Sequence, residues 1–438
     1  MTSSNKLETV KESLDMSSTS NTERIAASLK LRNKKEKRFR WIGLAAVSFG
    51  FFLVFSLIGD IVYKAVPAFH QHWVKLDINY DQKWLGIDEI NSKSIADASY
   101  RKTLRKSVYN AFPEVMGRKD KRKLNGLFST NAEFTIKDFL IENPHKLNKV
   151  ETVWLRLDDD VDSYLKDKLP AGQAGARIDE KQAKWIEQLR QQNRIEKRFN
   201  IDFFTSGDSR EPELAGIKGA FMGSILTMLV TLAISFPLGV AAALYLEEFA
   251  PRNRWTDIIE VNINNLAAVP SIIFGLLGLA VIINMFGLPR SAPLVGGIVL
   301  SLMTLPTIII ASRASIKAVP PSIREAALGV GASKMQMAFG HVLPMAMPGI
   351  LTGTIIGMAQ ALGETAPLLM IGMVAFIVDI PANITDAATV LPVQIYLWAD
   401  SPERAFLAKT SAAILVLLSF LLIMNISAAL LRNKFEKS

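Results

Sequence analysis

The chain has 438 residues, is 50% hydrophobic, and carries a formal net charge of +9 at neutral pH. Its apolar residues collect in long runs around one very polar region, which is typical of a membrane protein with a soluble insertion. The lack of cysteine excludes thiol catalysis, disulfides and cysteine metal sites, and basic residues beside a membrane span explain the positive charge without a nucleic acid.

The amino-terminal segment is polar and ends in a basic cluster. We expect residues 1–40 to form a disordered cytoplasmic tail, because Ser, Thr, Asn and charged residues dominate without apolar periodicity. Residues 41–63 are apolar and long enough to cross a bilayer. The run exceeds the apolar region of a secretory signal, and no clear small-x-small cleavage site follows, so we interpret it as an uncleaved anchor.

Residues 64–218 form the polar insertion. Its patterns predict helices over 96–112 and 179–199 and a short strand over 151–157, hence an α+β fold. Three tryptophans indicate a packed core, while a partly extended spacer is the alternative. These are Trp84, Trp154 and Trp185.

Five further apolar runs predict membrane helices in a permease domain, residues 219–431. They cover residues 219–246, 258–286, 294–311, 350–378 and 408–431. With the anchor they make an all-α polytopic membrane protein of about six spans. The even number places both termini, including the tail 432–438, on one side. The Lys and Arg of the short loops assign that side to the cytoplasm and leave the insertion outside.

Residues 322–349 form a polar, helix-capable segment between the apolar runs 294–311 and 350–378. Ser322–Glu325 and Ser333–Gln336 both match the capping-box pattern, so we predict a helix from Ile323, a glycine bend and a second helix. An ordinary amphipathic loop helix is the alternative to a binding element.

Small residues follow the first predicted cap. Ala326, Ala327 and Gly331 leave a shallow face that suits a groove of another protein. The sequence therefore predicts a docking face on this segment.

Glu364 is the polar residue of most interest inside the membrane runs. An ionised carboxylate near the middle of the 350–378 run is costly unless it faces water or a protein interior. The structural alternative is a hydrogen-bonded glutamate that fixes Thr365 and a bend at Pro367. Candidate bends also occur at other prolines. All four are Pro237, Pro270, Pro306 and Pro367.

No metal or catalytic cluster is evident. His70 and His72 would suit a metal on a strand, but they follow a span at the membrane surface, and we interpret them as a solvated pair. No phosphate-binding loop of the Gly-x-x-x-x-Gly-Lys-Ser/Thr type occurs, so the chain is not expected to hydrolyse ATP or to be an enzyme.

The segment 322–349 resembles the EAA loop of ABC importer permeases, and we name it the EAA-like loop. The matching residues are Glu325, Ala326, Ala327, Gly331, Leu343 and Pro344. His341 departs from the pattern, which usually has an aliphatic residue there. The resemblance implies that this loop docks on a separate ATPase subunit and passes its motion to the membrane helices.

A narrower resemblance is to phosphate importer permeases of the PstA type, in the subgroup with an extended amino-terminal half. It is carried by Gly363–Leu369, Ala268–Gly275 and Leu305–Ile309. Such proteins often carry an arginine where this chain has Gln360, so Arg313 or an arginine of a partner permease would supply the charge. The implied translocation pathway includes Gln360, Glu364, Thr365, Pro367 and Arg313.

The resemblance implies a permease subunit that imports inorganic phosphate across the bacterial inner membrane. Implied partners are a PstC-type permease, a PstB-type ATPase dimer that uses ATP and Mg²⁺, and a PstS-type periplasmic binding protein; the chain itself would bind no cofactor. Permeases for sulfate, molybdate or polyamine are the alternatives within the class. Outside it stand an ion-coupled secondary transporter, with Glu364 as its ion site, and a membrane sensor or scaffold.

Overall fold

A computed structural model describes residues 4–87, 91–167, 177–374 and 376–436. The chain divides into two compact units, Met1–Tyr63 and Lys64–Ser438. Helix α1, Ser4–Ala65, accounts for the described part of the first unit, and Arg32–Phe69 is long and apolar enough to cross a membrane. The expected disordered tail is therefore wrong from Ser4 onward. Neither Gly nor Pro occurs before Gly43, so nothing in this stretch breaks a helix.

The insertion is built on a three-stranded antiparallel sheet. Its strands are β1, His70–Asn79, β2, Val150–Arg156, and β3, Ile195–Phe199. The order is β2-β1-β3, with β1 paired to both neighbours. Alternate residues of β1 are fully buried and pack against helices, as a sheet with one covered face requires. They are Val74, Leu76 and Ile78.

Eight helices of the insertion are described. They are α2 Gln82–Leu85, α3 Ser92–Ala96, α4 Tyr100–Ala111, α5 Arg118–Asn125, α6 Ala132–Glu142, α7 Asp159–Asp167, α8 Glu180–Gln191 and α9 Asp202–Thr205. The α+β prediction and the strand over 151–157 are confirmed. The packed core also excludes the extended spacer.

Two predicted helices of the insertion differ from the structure. The stretch 96–112 is divided between α3 and α4, because the chain turns at Asp97–Ser99. The stretch 179–199 is helical only to Gln191 and then becomes β3, since Asn193 takes a positive φ of 53° that ends the helix. The pattern of apolar residues alone did not mark this turn.

The histidine pair lies on a strand, contrary to the expectation of a solvated surface pair. His72 is part-buried, and its Nδ1 lies 2.8 Å from Asp162 Oδ1. His70 Nδ1 lies 3.4 Å from the carbonyl oxygen of Val66. His72 therefore serves a structural contact, because its hydrogen bond to Asp162 joins β1 to α7.

The permease domain contains ten helices among the described residues. They are α10 Lys218–Leu244, α11 Arg254–Ala267, α12 Ser271–Leu277, α13 Pro293–Lys317, α14 Pro321–Gly329, α15 Lys334–Met337, α16 Leu343–Gly363, α17 Ala366–Met370, α18 Leu391–Ala399 and α19 Ala405–Glu436. Five helices of the chain are long and apolar enough to cross a membrane, or six when one bent pair counts as a span. This agrees with the prediction of about six.

Two predicted spans are broken. The run 258–286 forms α11 and α12, which meet at an angle of 102° beside Pro270. The run 350–378 is helical in α16 only to Gly363. Pro367 then starts the short helix α17, and Gly372 adopts a φ of 94°, so the apolar sequence continues after the long helix has ended.

Helices α10, α13 and α16 form the centre of the permease domain. A Cβ added to Gly353 would lie 2.1 Å from Ala311 Cβ, and one added to Gly349 would lie 2.3 Å from Ser315 Oγ. The glycine stripe of α16 therefore allows it to pack directly on α13. Since Gly349 faces Ser315 and Gly353 faces Ala311, the two helices run antiparallel.

Candidate functional site

The first helix of the EAA-like loop, α14, begins at consecutive prolines. Pro320 is its N-cap and Pro321 its first residue, and no side chain caps it. The predicted capping box of Ser322 and Glu325, with a start at Ile323, is therefore wrong. Proline has a φ suited to the first helical position and needs no hydrogen-bond partner there, so the helix starts before Ser322 could cap it.

The second helix of the loop, α15, has the predicted cap. Gln336 N donates to Ser333 Oγ at 3.2 Å, and Ser333 N donates to Gln336 Oε1 at 2.9 Å. Between the helices, Gly331 adopts a φ of 90°, and a Cβ there would meet no atom within 4 Å. Gly331 is thus needed for the backbone turn rather than for space on a docking face.

The two alanines of the motif face opposite ways. Ala327 is 6% exposed and packs in a core cluster with Met337 and Val342, whereas Glu325 and Ala326 are exposed. The prediction that Ala327 lies on the docking face is therefore wrong. We define the loop surface as five exposed residues on or between α14 and α15, three of which have large apolar side chains. Its members are Glu325, Ala326, Leu328, Val330 and Met335.

Leu343 and Pro344 begin α16, after a π-helical turn at Ala338–Val342. Leu343 is half-buried against the same core cluster as Ala327, and Pro344 is exposed. His341, the residue that departs from the motif, is exposed within the π-helical turn. The motif thus joins the loop to α16, the long helix of the run 350–378.

Arg324 fixes α14 to the transmembrane helices. Its Nη2 and Nε donate to Glu248 Oε1 at 2.8 and 3.0 Å, and Nη2 also donates to the carbonyl oxygen of Ile316 at 2.8 Å. The Glu248 side chain is only 6% exposed and lies in a π-helical turn after α10. One guanidinium therefore links the loop to the ends of α10 and α13.

Arg313 makes a second link of the same kind. Its Nε donates to Glu247 Oε1 at 2.7 Å, and its Nη2 contacts Glu260 on α11. Arg313 lies between Ala311 and Ser315, which face Gly353 and Gly349 of the antiparallel helix α16. Glu364 follows at the far end of α16, about 20 Å away at ~1.5 Å per residue. The structure does not bring Arg313 to Glu364.

Glu364 lies at a break between helices rather than in the middle of one. It ends α16 with a ψ of 127°, and its N donates to Ala361 O at 3.2 Å. The side chain is half-buried, and no residue in the described ranges pairs with its carboxylate. Gln360 is exposed one turn earlier, at the edge of the glycine stripe, because it follows Gly353 by seven residues and Gly357 by three. Its side chain forms no hydrogen bond with another residue in the described part of the chain.

Thr365 and Pro367 begin the short helix that follows. Pro367 is buried, and Thr365 O accepts a hydrogen bond from Leu368 N at 3.1 Å. A Cβ added to Gly275 would lie 2.7 Å from Pro367 Cα, so α12 and α17 meet at backbone distance. The segments Ala268–Gly275 and Gly363–Leu369, far apart in sequence, are therefore packed together at the two helix breaks.

Sequence inspection missed the acidic partners of both arginines. Glu247 and Glu248 follow an apolar run and resemble an ordinary charged flank, and Glu260 lies in a mixed helix. The available signal was an acidic pair at the carboxyl end of one predicted span and two arginines at or after the end of another. Pairing them required the parallel packing of α10 and α13, which brings the carboxyl ends of the two helices together.

Comparison with known families gives two matches. Residues 235–437 match the family described as "Binding-protein-dependent transport system inner membrane component". Residues 26–173 match a domain of unknown function, DUF3333.

Several curated relatives are named as phosphate transport permeases, which is a narrower class than the family above. The phosphate transport system permease protein PstA of Xylella fastidiosa is 31% identical over 54% of this chain and 82% of its own length. PstA 1 of Mycobacterium tuberculosis is 30% identical over 50% of this chain and 70% of its own length. The chain belongs to the PstA-type permeases of ABC importers. It is thus a multi-pass inner-membrane permease subunit.

Solved structures also resemble about half of this chain. The methionine ABC transporter MetNI, in an inward-facing conformation, matches 50% of this chain and 95% of its own with a TM-score of 0.40 and 15% identity. A bacterial transporter for the polysaccharide alginate matches 49% of this chain with a TM-score of 0.38. The family assignment rests on the sequence relatives.

Proposed function

We propose that this PstA-type permease moves inorganic phosphate into the cytoplasm. The observation that carries the proposal is the likeness to relatives named as phosphate transport permeases, which reach 30–32% identity. The packing of Gly363–Leu369 on Ala268–Gly275 supports it, because these are the segments that carry the resemblance. The permease domain occupies residues 219–431, with both termini in the cytoplasm and the insertion 64–218 outside.

Energy would come from a partner. A PstB-type ATPase dimer would bind ATP and Mg²⁺ and dock on the loop surface, where Leu328, Val330 and Met335 are exposed. Apolar side chains in the centre of such a patch gain most from being covered. Arg324 and Arg313 would then carry the displacement of the loop to α10, α11 and α13, because charged groups with little exposure hold one geometry.

The substrate path would run past the carboxyl-terminal end of α16, where Gln360 is exposed and Glu364 is half-buried. A PstC-type permease would cover these two side chains. Gln360 has no charge and Arg313 is held by two glutamates, so the partner permease would provide the cation for phosphate. Glu364 would orient that cation, since a carboxylate repels a phosphate anion.

Co-purification tests the assembly. The tagged chain is co-expressed with the proposed partner subunits and purified in mild detergent. It should retain an ATPase, a second permease and, with phosphate present, a periplasmic binding protein. Recovery of the chain without any ATPase would reject the proposed coupling. Retention of the ATPase with a binding protein that prefers sulfate, molybdate or polyamine would keep the transporter class and reject phosphate.

A further inference from the structure

Three phenylalanines and one isoleucine form an apolar patch at one end of the insertion. The rings of Phe69 and Phe204 stack with their centroids 5.9 Å apart, and the ring of Phe199 stacks on that of Phe204 at 6.0 Å. Phe199, Ile201 and Phe204 are 56%, 63% and 41% exposed. We name these four residues the phenylalanine patch. A contiguous apolar patch on the surface marks a face that binds something.

Backbone hydrogen bonds fix the patch beside two membrane spans. Phe69 is the last residue of the first candidate span, and its carbonyl oxygen accepts a hydrogen bond from Asn200 N at 2.9 Å. Ile217 N donates to Phe203 O at 2.7 Å, and the candidate span Lys218–Phe249 begins at the next residue. The patch therefore lies where two spans reach the boundary of the bilayer.

Phe203 holds the patch on the permease domain. Its side chain is fully buried, and its ring lies 5.0 Å from that of Phe204 and 6.4 Å from that of Trp398 on α18. Asn200 Nδ2 also donates to Ala68 O at 3.1 Å. Because Phe203 occupies the core position, the adjacent Phe204 faces outward and keeps a fixed height relative to the spans.

The chemistry around the patch suits a lipid surface. Aromatic side chains are enriched where a membrane meets water, and apolar side chains there reach into the boundary between headgroups and acyl chains. Lys197 on β3 and Lys218 at the start of α10 are both exposed, and lysine can cover apolar surface while its charge stays among the headgroups. Asp202 is the acidic residue within 199–204, and its carboxylate contacts Arg156. An uncompensated carboxylate therefore does not oppose insertion of this segment.

We propose that the phenylalanine patch inserts into the lipid leaflet on the insertion's side of the membrane. The partner of this face is then the bilayer itself. The contact holds β3 and α9 at the membrane surface, and it keeps the sheet of the insertion next to the bilayer. Water and a second permease are the competing covers for the patch.

Spin labelling distinguishes these three covers. Ile201→Cys in the full-length chain is labelled with a nitroxide and reconstituted in vesicles of phosphatidylethanolamine and phosphatidylglycerol, alone and with the second permease. Oxygen concentrates in hydrocarbon, whereas nickel ethylenediaminediacetate stays in water. The ratio of oxygen to nickel accessibility should be at least about tenfold higher at position 201 than at position 116. Met116→Cys is the matched control, because Met116 is 81% exposed and lies outside the patch.

Lipid contact at position 201, both in the chain alone and with the second permease bound, is the result we expect. Equal ratios at positions 201 and 116 would show that the patch faces water and would overturn the proposal. Low accessibility to both reagents, in either sample, would show that protein covers the patch and would overturn it too. Phe199→Cys decides if Ile201→Cys does not elute as a single species in gel filtration.

Discussion

Ala326 and Ala327 are adjacent residues with opposite roles. Ala327 lies in the core under the EAA-like loop, and Ala326 lies on the loop surface beside exposed apolar side chains. A charged side chain would therefore be buried at position 327 and exposed at position 326. The pair separates the stability of the loop from its contact with an ATPase.

We predict that Ala327→Asp destabilises the protein by about 3 kcal/mol or more, because an unpaired carboxylate would be buried. Ala326→Asp should leave the thermal midpoint within about 2 °C of the wild type but reduce ATPase co-purification at least about tenfold. The measurements are thermal unfolding in detergent and the recovered ATPase per chain. Full ATPase recovery with Ala326→Asp would place the docking contact elsewhere.

Glu364 is the residue whose ionisation matters most to the proposed pathway. Glu364→Gln keeps the shape and removes the charge, while Glu364→Ala removes both. Because no described residue pairs with the carboxylate, both variants should assemble, and both should lose phosphate uptake by at least about tenfold if the charge orients a cation of the partner. Wild-type uptake by Glu364→Gln at wild-type protein levels would show that the charge has no role.

At the scale of elements, α14 is held in place by an ion pair in addition to its apolar contacts. Removal of Arg324 would leave Glu248 unpaired at 6% exposure. An uncompensated buried charge is more costly than a surface ion pair is worth. We therefore expect the contact between α14 and the end of α10 to loosen while the loop itself stays folded.

We predict that Arg324→Ala lowers the phosphate moved per ATP hydrolysed by about tenfold, while ATPase binding survives, because motion of the loop no longer reaches α10. Lys317→Ala removes an exposed cation nearby and should preserve the ratio. The ratio is measured in proteoliposomes that contain the whole complex. An unchanged ratio with Arg324→Ala would mean that the link does not transmit the motion.

The sequence predicted those elements that are decided by one local property of the chain. Apolar length predicted the long helices. The end of α16 at Gly363 was missed, because apolar residues continue through residue 378 after the helix stops. The burial of Ala327 and the pairs of Arg313 and Arg324 depend on distant helices, which local patterns do not contain.

At the scale of the whole molecule, the insertion is attached to the permease domain through several buried contacts. Trp398 Nε1 donates to Asp208 Oδ1 at 3.0 Å, and a Cβ added to Gly207 would lie 1.8 Å from Val378 O. The insertion therefore packs on the end of α18 and on the segment around Val378. It follows that they share one side of the membrane.

Single-cysteine labelling tests this arrangement, since the chain has no cysteine of its own. Met116→Cys, at a residue that is 81% exposed, should react with an impermeant maleimide in intact cells. Lys334→Cys on the EAA-like loop should react only after the membrane is permeabilised. The reverse pattern would invert the topology and remove the loop from the compartment that contains ATP.

The central claim is ATP-driven phosphate import, and transport by the reconstituted complex tests it most directly. Proteoliposomes with the permease pair and ATPase, supplied with the binding protein outside and ATP inside, should accumulate radiolabelled phosphate. Excess unlabelled phosphate should abolish the signal, and sulfate, molybdate and spermidine should not. Accumulation without ATP, or competition by sulfate, molybdate or spermidine equal to that by phosphate, would contradict the account.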